Sequence, residues 1–248
     1  MRSITSVKNE EIKKITSLKL AKNRKKFGLF LAEGFRICKT LEEGQLNLAQ
    51  VYFVKEEEEN AKQITTNSNL LTLVTTHVIE KISSASTPCG LICVFEIPEQ
   101  PDLKEISSGI VLAKVSDPGN MGTLIRTCAA MGHHTVVLVE ACDPWSNKVV
   151  QASAGTIAKV NIFELSWQEL QTAKNSIKTV ALVVTGGNPP NSICLHNTLL
   201  IIGSEATGIP EEWVHDCDEK MSLPMPGETE SLNAAVAGSI ALYLASTK

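Results

Sequence analysis

The sequence predicts an α/β protein with a parallel sheet in its second part and a smaller α/β unit in front. Three observations carry this. The stretches Thr135 to Val139, Val180 to Val184 and Leu199 to Ile202 are nearly continuous runs of apolar residues without apolar/polar alternation. Such runs suit strands buried on both faces of a parallel sheet. Helical segments fall between them. Three loops rich in Gly, Pro, Ser and Asn each stand between a strand-like stretch and a helix, where open α/β sheets gather their ligands.

From the N-terminus, Ile12, Ile15 and Leu18 are spaced for a helix over 9–19 with lysines on its outer face. Leu29 to Ala32 is a short strand ended by Glu33-Gly34, and helical spacing resumes from Phe35 through Leu41. Val51 to Val54 is the next strand, and the acidic run Glu56 to Glu59 starts a helix, where carboxylates suit the positive end of the dipole. Leu70 to Val74 and Gly90 to Phe95 complete this unit. Pro98 to Gly109, with two prolines and a Ser-Ser-Gly close, is the linker. The division is residues 1–105 and 106–248. The second part opens with Ile110 to Val115, and its helices are expected at Thr123 to Met131, Trp167 to Ser176 and Ser231 to Leu244. The last has small residues on one side (Ala234, Ala237, Gly238, Ala241), which allows close packing on a sheet or on a second subunit.

The 248 residues, 43% hydrophobic and 20% charged, are ordinary for a globular protein able to bury a sizeable core. Net charge is −4, but residues 1–40 hold eleven basic and three acidic side chains. A basic arm on an acidic body is either a phosphate-facing surface or a solvated helix face. Seven scattered cysteines with no Cys-x-x-Cys pair read as reduced thiols, and no metal site is expected. With no apolar leader and no run near the ~20 residues of a membrane span, the expected place is the cytoplasm, away from membranes.

The three loop segments carry the chemistry. In Ser116 to Arg126, Pro118-Gly119-Asn120 reads as a turn, with a helix from about Gly122. Asn120 then lies in the loop and Arg126 about one turn into the helix. An Arg on so apolar a helix has either a carboxylate partner, such as Glu205, or a phosphate or substrate to hold. In Leu200 to Pro210, Gly203 permits close approach of a ligand to the backbone and Gly208 permits a turn. In Leu223 to Asn233, Ser231 is the expected N-cap of the last helix, and Asn233 can face back into the loops. No Gly-x-Gly-x-x-Gly, Walker loop or Ser/His/Asp constellation is present. The five histidines read as structural or surface residues, and the three tryptophans are too dispersed to form a stacking platform.

In order, spacing and content these three segments resemble the SpoU (TrmH-like) branch of the SPOUT superfamily, RNA ribose 2′-O-methyltransferases that use S-adenosylmethionine. The stretch Ile12 to Leu41, with Arg24, Phe30 and Glu33-Gly34, is similar to the small substrate-binding domain of the ribosomal RNA branch. The resemblance implies a SPOUT-type parallel sheet with a C-terminal trefoil knot, and a homodimer whose active site is completed across the subunit interface. It implies cofactor contacts at Gly186, Gly203, Leu223, Met225 and Leu232, and functional polar residues at Asn120, Arg126, Glu205, Ser231 and Asn233. The implied partner is RNA, ribosomal rather than transfer RNA, and not DNA. A tRNA ribose methyltransferase and a noncatalytic RNA-binding assembly factor are the alternatives. The chain departs from the family at Ala234-Ala235, where Val-Ser is common, and at Pro226.

Overall fold

The computed structural model describes residues 2–227 and 230–247, and the chain divides into two compact units. The first comprises Met1–Glu99 with Asp143–Ala158, the second Gln100–Cys142 with Lys159–Lys248. The segment 143–158 therefore belongs to the first unit although it lies beyond the sequence division at 105/106.

Along the first stretch run β1 (Arg2–Ile4), α1 (Glu10–Ser17), α2 (Ala21–Phe27), β2 (Leu29–Glu33), α3 (Phe35–Glu43), β3 (Leu48–Phe53), α4 (Glu58–Ile64), β4 (Leu71–Val74), α5 (Thr76–Ile82) and β5 (Leu91–Glu96). The five strands form one mixed sheet in the order β1-β4-β3-β5-β2, with β5 antiparallel to both neighbours. Ile12, Ile15 and Leu18 are buried against Leu31, Tyr52 and Ile79, as their spacing predicts. Gly34 has φ +95 at the strand-to-helix junction, a conformation open to glycine and strained for other residues.

Arg24 is 5% exposed. Its Nε donates to Asp143 Oδ2 at 2.9 Å and its Nη1 to the carbonyls of Leu18 and Lys19 at 2.7 and 3.0 Å. The last two are orphan acceptors just past the end of α1, so one guanidinium closes a helix terminus and neutralises a carboxylate 119 residues away. Breaking such a pair from one side costs about 3–5 kcal/mol, because the other charge is left unpaired.

The second unit follows with β6 (Gly109–Ala113), α6 (Pro118–Ala130) and β7 (Thr135–Val139). After α7 (Asn147–Ala152), which lies in the first unit, come β8 (Asn161–Glu164), α8 (Trp167–Ala173), β9 (Lys178–Leu182), β10 (Thr198–Gly203), α9 (Glu211–His215), β11 (Glu219–Met221) and α10 (Ala234–Ser246). The strand order is β11-β9-β10-β6-β7-β8, and every neighbouring pair is parallel. Every residue of β6 and β7 is buried, which is why both read as unbroken apolar runs. Trp167 and Trp213 stack 4.9 Å apart in this core, so neither is available to a base.

Several expectations need correction. The first loop segment is not a turn before a helix at Gly122: α6 begins at Pro118, because Asp117 accepts from Asn120 N at 2.8 Å and the proline takes the first turn. Asn120 thus lies in the first turn, and Arg126 more than two turns in. Ser231 is not the cap of the last helix. That role belongs to Asn233, whose Oδ1 accepts from Ala235 N at 2.9 Å and Val236 N at 3.2 Å. Of the two packings left open for the small-residue face of α10, the structure shows the one within the unit: a Cβ on Gly238 would stand 2.5 Å from Leu124 and 2.6 Å from Ile202. The exposed face instead carries Val236, Ile240 and Tyr243. Elements of three to seven residues, among them β1, α2, α5, α7, β8 and β11, are too short to show a period in the sequence. Among the described residues no helix is long and apolar enough to cross a membrane.

Candidate active site

All of the following lies in the second unit. The loops after β10 and β11 and the start of α10 enclose a cavity of about 540 Å³. Parallel strands end together at one edge of the sheet, so loops distant in sequence meet there. Leu223, Met225, Ser231, Leu232 and Asn233 line the cavity from one side, Gly203 and Glu205 from another. Glu228 and Thr229 of the third segment lie outside the described residues.

Gly203 is held against the turn that follows it. Ser204 and Gly208 exchange both backbone hydrogen bonds, at 3.2 and 2.9 Å. A Cβ on Gly203 would overlap the backbone of Gly208 and Ile209, so glycine is needed here for the loop to fold back. The loop around Gly186 is tied to the third segment, since Gly187 N donates to Ser222 Oγ at 2.9 Å. Gly186 has φ +76 but is not among the lining residues, unlike the other four expected cofactor contacts.

Three of the five expected polar residues are joined in one chain of hydrogen bonds. The backbone N–H groups at the start of α10 donate to Asn233 Oδ1. Asn233 Nδ2 donates to Asn120 Oδ1 at 3.1 Å, and Asn120 Nδ2 donates to Glu205 Oε1. A helix N-terminus is positive and a carboxylate negative, so the two amides are polarised in series between them. Their flips are fixed at both ends, which presents defined donors and acceptors to a bound group. Glu205 is thereby paired with Asn120 rather than with Arg126.

Arg126 stands apart. It is exposed on α6, and among the described residues no acceptor is bonded to its guanidinium. Six residues separate it from Asn120, roughly 240° around the helix and about 9 Å along it. The two side chains therefore leave the helix from different faces. Ser231 is exposed on the cavity wall and makes no described hydrogen bond.

Sequence reasoning missed Asp117, whose carboxylate sets the start of α6 and so the position of Asn120. The Asp-Pro-Gly triplet was the signal. It also missed Ser222, and it read Val180 to Val184 as one buried strand, whereas β9 ends at Leu182 and Val184 is exposed on the cavity wall.

Comparison with known proteins adds the following. The model of the SpoU rRNA Methylase family matches residues 107–243, and that of the MRM3-like substrate binding domain residues 9–93. The 23S rRNA (guanosine(2553)-2′-O)-methyltransferase RlmP of Bacillus subtilis is 26% identical over 98% of both chains. The crystal structure of an AdoMet-bound rRNA methyltransferase from Sinorhizobium meliloti superposes with a TM-score of 0.88 at 26% identity, over 98% of this chain and 96% of that one. A structure described for 2-OH methylation of C/U34 on tRNA covers 56% of this chain and 93% of its own, at 27% identity and a TM-score of 0.50.

Proposed function

The chain belongs to the SpoU rRNA methylase family, and we propose that it methylates the 2′-OH of one ribose in ribosomal RNA, with S-adenosylmethionine as methyl donor. The carrying observation is the Asn233–Asn120–Glu205 hydrogen-bonded chain, two of whose members, Asn233 and Glu205, line the cavity beside Gly203. The cavity fits such a cofactor. Its size is within the ~300–1,000 Å³ of small-ligand sites, and Leu182, Val183, Leu223 and Leu232 give apolar walls beside polar loop backbone. Gly203, Leu223, Met225 and Leu232 would hold it, with Gly186 shaping the loop beyond. When bound, it supplies an electrophilic methyl group on sulfonium.

The chain's own residues position the nucleophile. A ribose hydroxyl is a weak nucleophile, so in-line placement and stabilisation of developing charge carry the rate. Asn120 and Asn233, locked by their neighbours, offer directed hydrogen bonds near the cavity mouth. Arg126 has a planar guanidinium with no bonded acceptor among the described residues. It binds the phosphate next to the target ribose and stabilises developing alkoxide charge.

We read the protein as a homodimer. An exposed apolar stripe, Val236, Ile240 and Tyr243, runs along α10, and α10 packs on the helix that carries Arg126, where Thr127 and Ser239 hydroxyls lie 3.0 Å apart. A two-fold partner on that stripe would bring its own Arg126 toward this chain's cavity, which the 240° offset from Asn120 favours. The strand order and the three converging C-terminal loops support a trefoil knot. Residues 1–105 act as the substrate-binding domain and 106–248 as the methyltransferase, working in the cytoplasm on RNA rather than DNA. Matching of the rRNA enzymes over nearly the whole chain, against 56% for the tRNA structure, favours rRNA.

The test is incubation with methyl-labelled S-adenosylmethionine and either unmodified 23S rRNA or tRNA, followed by mapping of ribose methylation. Label at one rRNA ribose, lost in Arg126→Ala, supports the reading. Label only in tRNA moves the substrate, and no label despite cofactor binding overturns the activity.

A further inference from the structure

The first unit carries a second feature, outside the cavity just described. Lys22, Lys25 and Lys26 lie on α2 at spacings of three and four, hence on one face, and all are exposed. Lys14 of α1 joins them: its Nζ is 4.9 Å from the Phe27 ring centroid, and Lys26 Nζ is 5.3 Å from it. Among the described residues none of these four makes an ion pair. Elsewhere in the unit Lys13, Lys39, Lys55 and Lys62 each sit beside a glutamate. Unpaired like charges at helical spacing are mildly destabilising, by roughly 0.2–0.5 kcal/mol per pair. What offsets this within the fold is the pair of contacts with Phe27 and the place of Lys25 and Lys26 in the last turn of α2, and no carboxylate among the described residues neutralises the cluster.

Phe27 also forms part of a neighbouring cavity of about 400 Å³, closed by Gly28, Gln45, Leu46, Asn47 and Glu96. Its polar groups are side-chain amides and a carboxylate, with Asn47 Nδ2 donating to Glu96 Oε2 at 3.2 Å. A second carboxylate, Glu99, stands on the same wall. Two carboxylates repel a phosphate, whereas amides and carboxylates match the N–H and C=O edges of a base. The charge changes sign across Phe27, from ammonium groups to acceptors.

We infer that this face docks an unstacked nucleotide of a single-stranded RNA loop, with the lysines on its phosphates and the base in the cavity beside Phe27. Proteins that read RNA sequence target such splayed bases in loops, and lysine–phosphate contacts anchor the backbone without reading it. The inference rests on the RNA substrate proposed above and adds where the first unit grips it.

The probe is an unmodified 23S rRNA transcript, with affinity measured across salt concentrations. The Lys22→Ala/Lys25→Ala/Lys26→Ala variant should lower the slope of log K against log[salt] by about 2, at ~0.7 per single-strand phosphate contact. It should also bind at least tenfold more weakly in ~0.1 M salt. Leu46→Trp, which fills the cavity, and Asn47→Ala, an exposed change that spares the core, should weaken binding about tenfold with the slope unchanged. All variants should bind S-adenosylmethionine as the parent does. An unchanged slope in the triple variant, or unchanged affinity in both cavity variants, overturns the inference. If the parent methylates the transcript while the variants match it, only this inference falls. If the parent neither binds nor methylates it, the functional reading falls first.

Discussion

Asn233 Nδ2 donates to Asn120 Oδ1 at 3.1 Å, while the other end of the same Asn233 amide caps α10. One side chain thus holds a helix terminus and orients a site residue, and the two roles separate by substitution. Asn233→Asp keeps the capping oxygen and adds charge at the positive end of the helix, so stability should stay within about 0.5 kcal/mol. It loses the donor to Asn120, and turnover should fall at least tenfold. Asn233→Ala should lose both turnover and about 1 kcal/mol. Urea unfolding beside single-turnover methylation reads the two separately. Full activity in Asn233→Asp would remove the amide chain from the mechanism.

Arg126 is exposed and among the described residues its side chain makes no hydrogen bond or ion pair, so Arg126→Ala should leave unfolding and cofactor affinity unchanged. The loss should appear in turnover, on the order of 10²-fold or more. Mixing Arg126→Ala subunits with Asn120→Ala subunits tests the composite site. Each heterodimer would keep one intact Asn120–Arg126 combination, and random exchange should restore roughly a quarter of parental activity. Recovery of none would place both residues in the same subunit's site.

Gly203→Ala should abolish most cofactor binding. The added methyl meets the backbone of Gly208 and Ile209, with Gly208 O only 2.8 Å away, and backbone cannot rotate aside as a side chain can. Calorimetric titration with S-adenosylmethionine should show at least a tenfold weaker Kd. Parental affinity would mean that the turn after β10 moves freely.

Asp218 secures the strand that leads into the third loop segment. Burial works against its charged form. Hydrogen bonds from Lys174 Nζ at 2.9 Å and from Thr179 N at 2.8 Å outweigh this and hold the carboxyl down at about 2. The folded value lies below the unfolded one, so the contribution is present above about pH 4 and lost as pH falls through 2. Asp218 is half-exposed, and solvent screening limits the effect to about 1 kcal/mol. The urea midpoints of Asp218→Asn and the parent should differ at pH 6 and converge between pH 4 and pH 2. A gap that persists to pH 2 would deny the charged pair its role.

The parallel sheet was legible because Thr135 to Val139 and Leu199 to Ile202 are buried on both faces and therefore apolar throughout. Glycines and prolines mark where the chain turns, so the loops were legible, and Gly203, Glu205 and Asn233 from two of them meet at one cavity; Gly186 and Arg126 do not line it. Pro118-Gly119-Asn120 reads as a turn, which puts the start of α6 at Gly122, whereas the Asp117 side chain caps the helix at Pro118. The cap on α10 was misplaced because Ser231 and Asn233 are equally good capping types two residues apart, and only the path of the chain selects between them.

Composition, periodicity and loop chemistry are local properties, so the sequence alone determined the longer apolar strands and which loop residues could carry chemistry, but not β1, β8 or β11. Tertiary structure decided what they face. It turned the small side of α10 inward onto Leu124 and Ile202, and left Val236 and Tyr243 to solvent. It joined Arg24 to Asp143 and Asn120 to Glu205, and left Arg126 exposed on α6 with no bonded acceptor among the described residues. Each of these depends on which segments, far apart along the chain, the packed sheet brings within hydrogen-bond reach, and no local pattern records that distance.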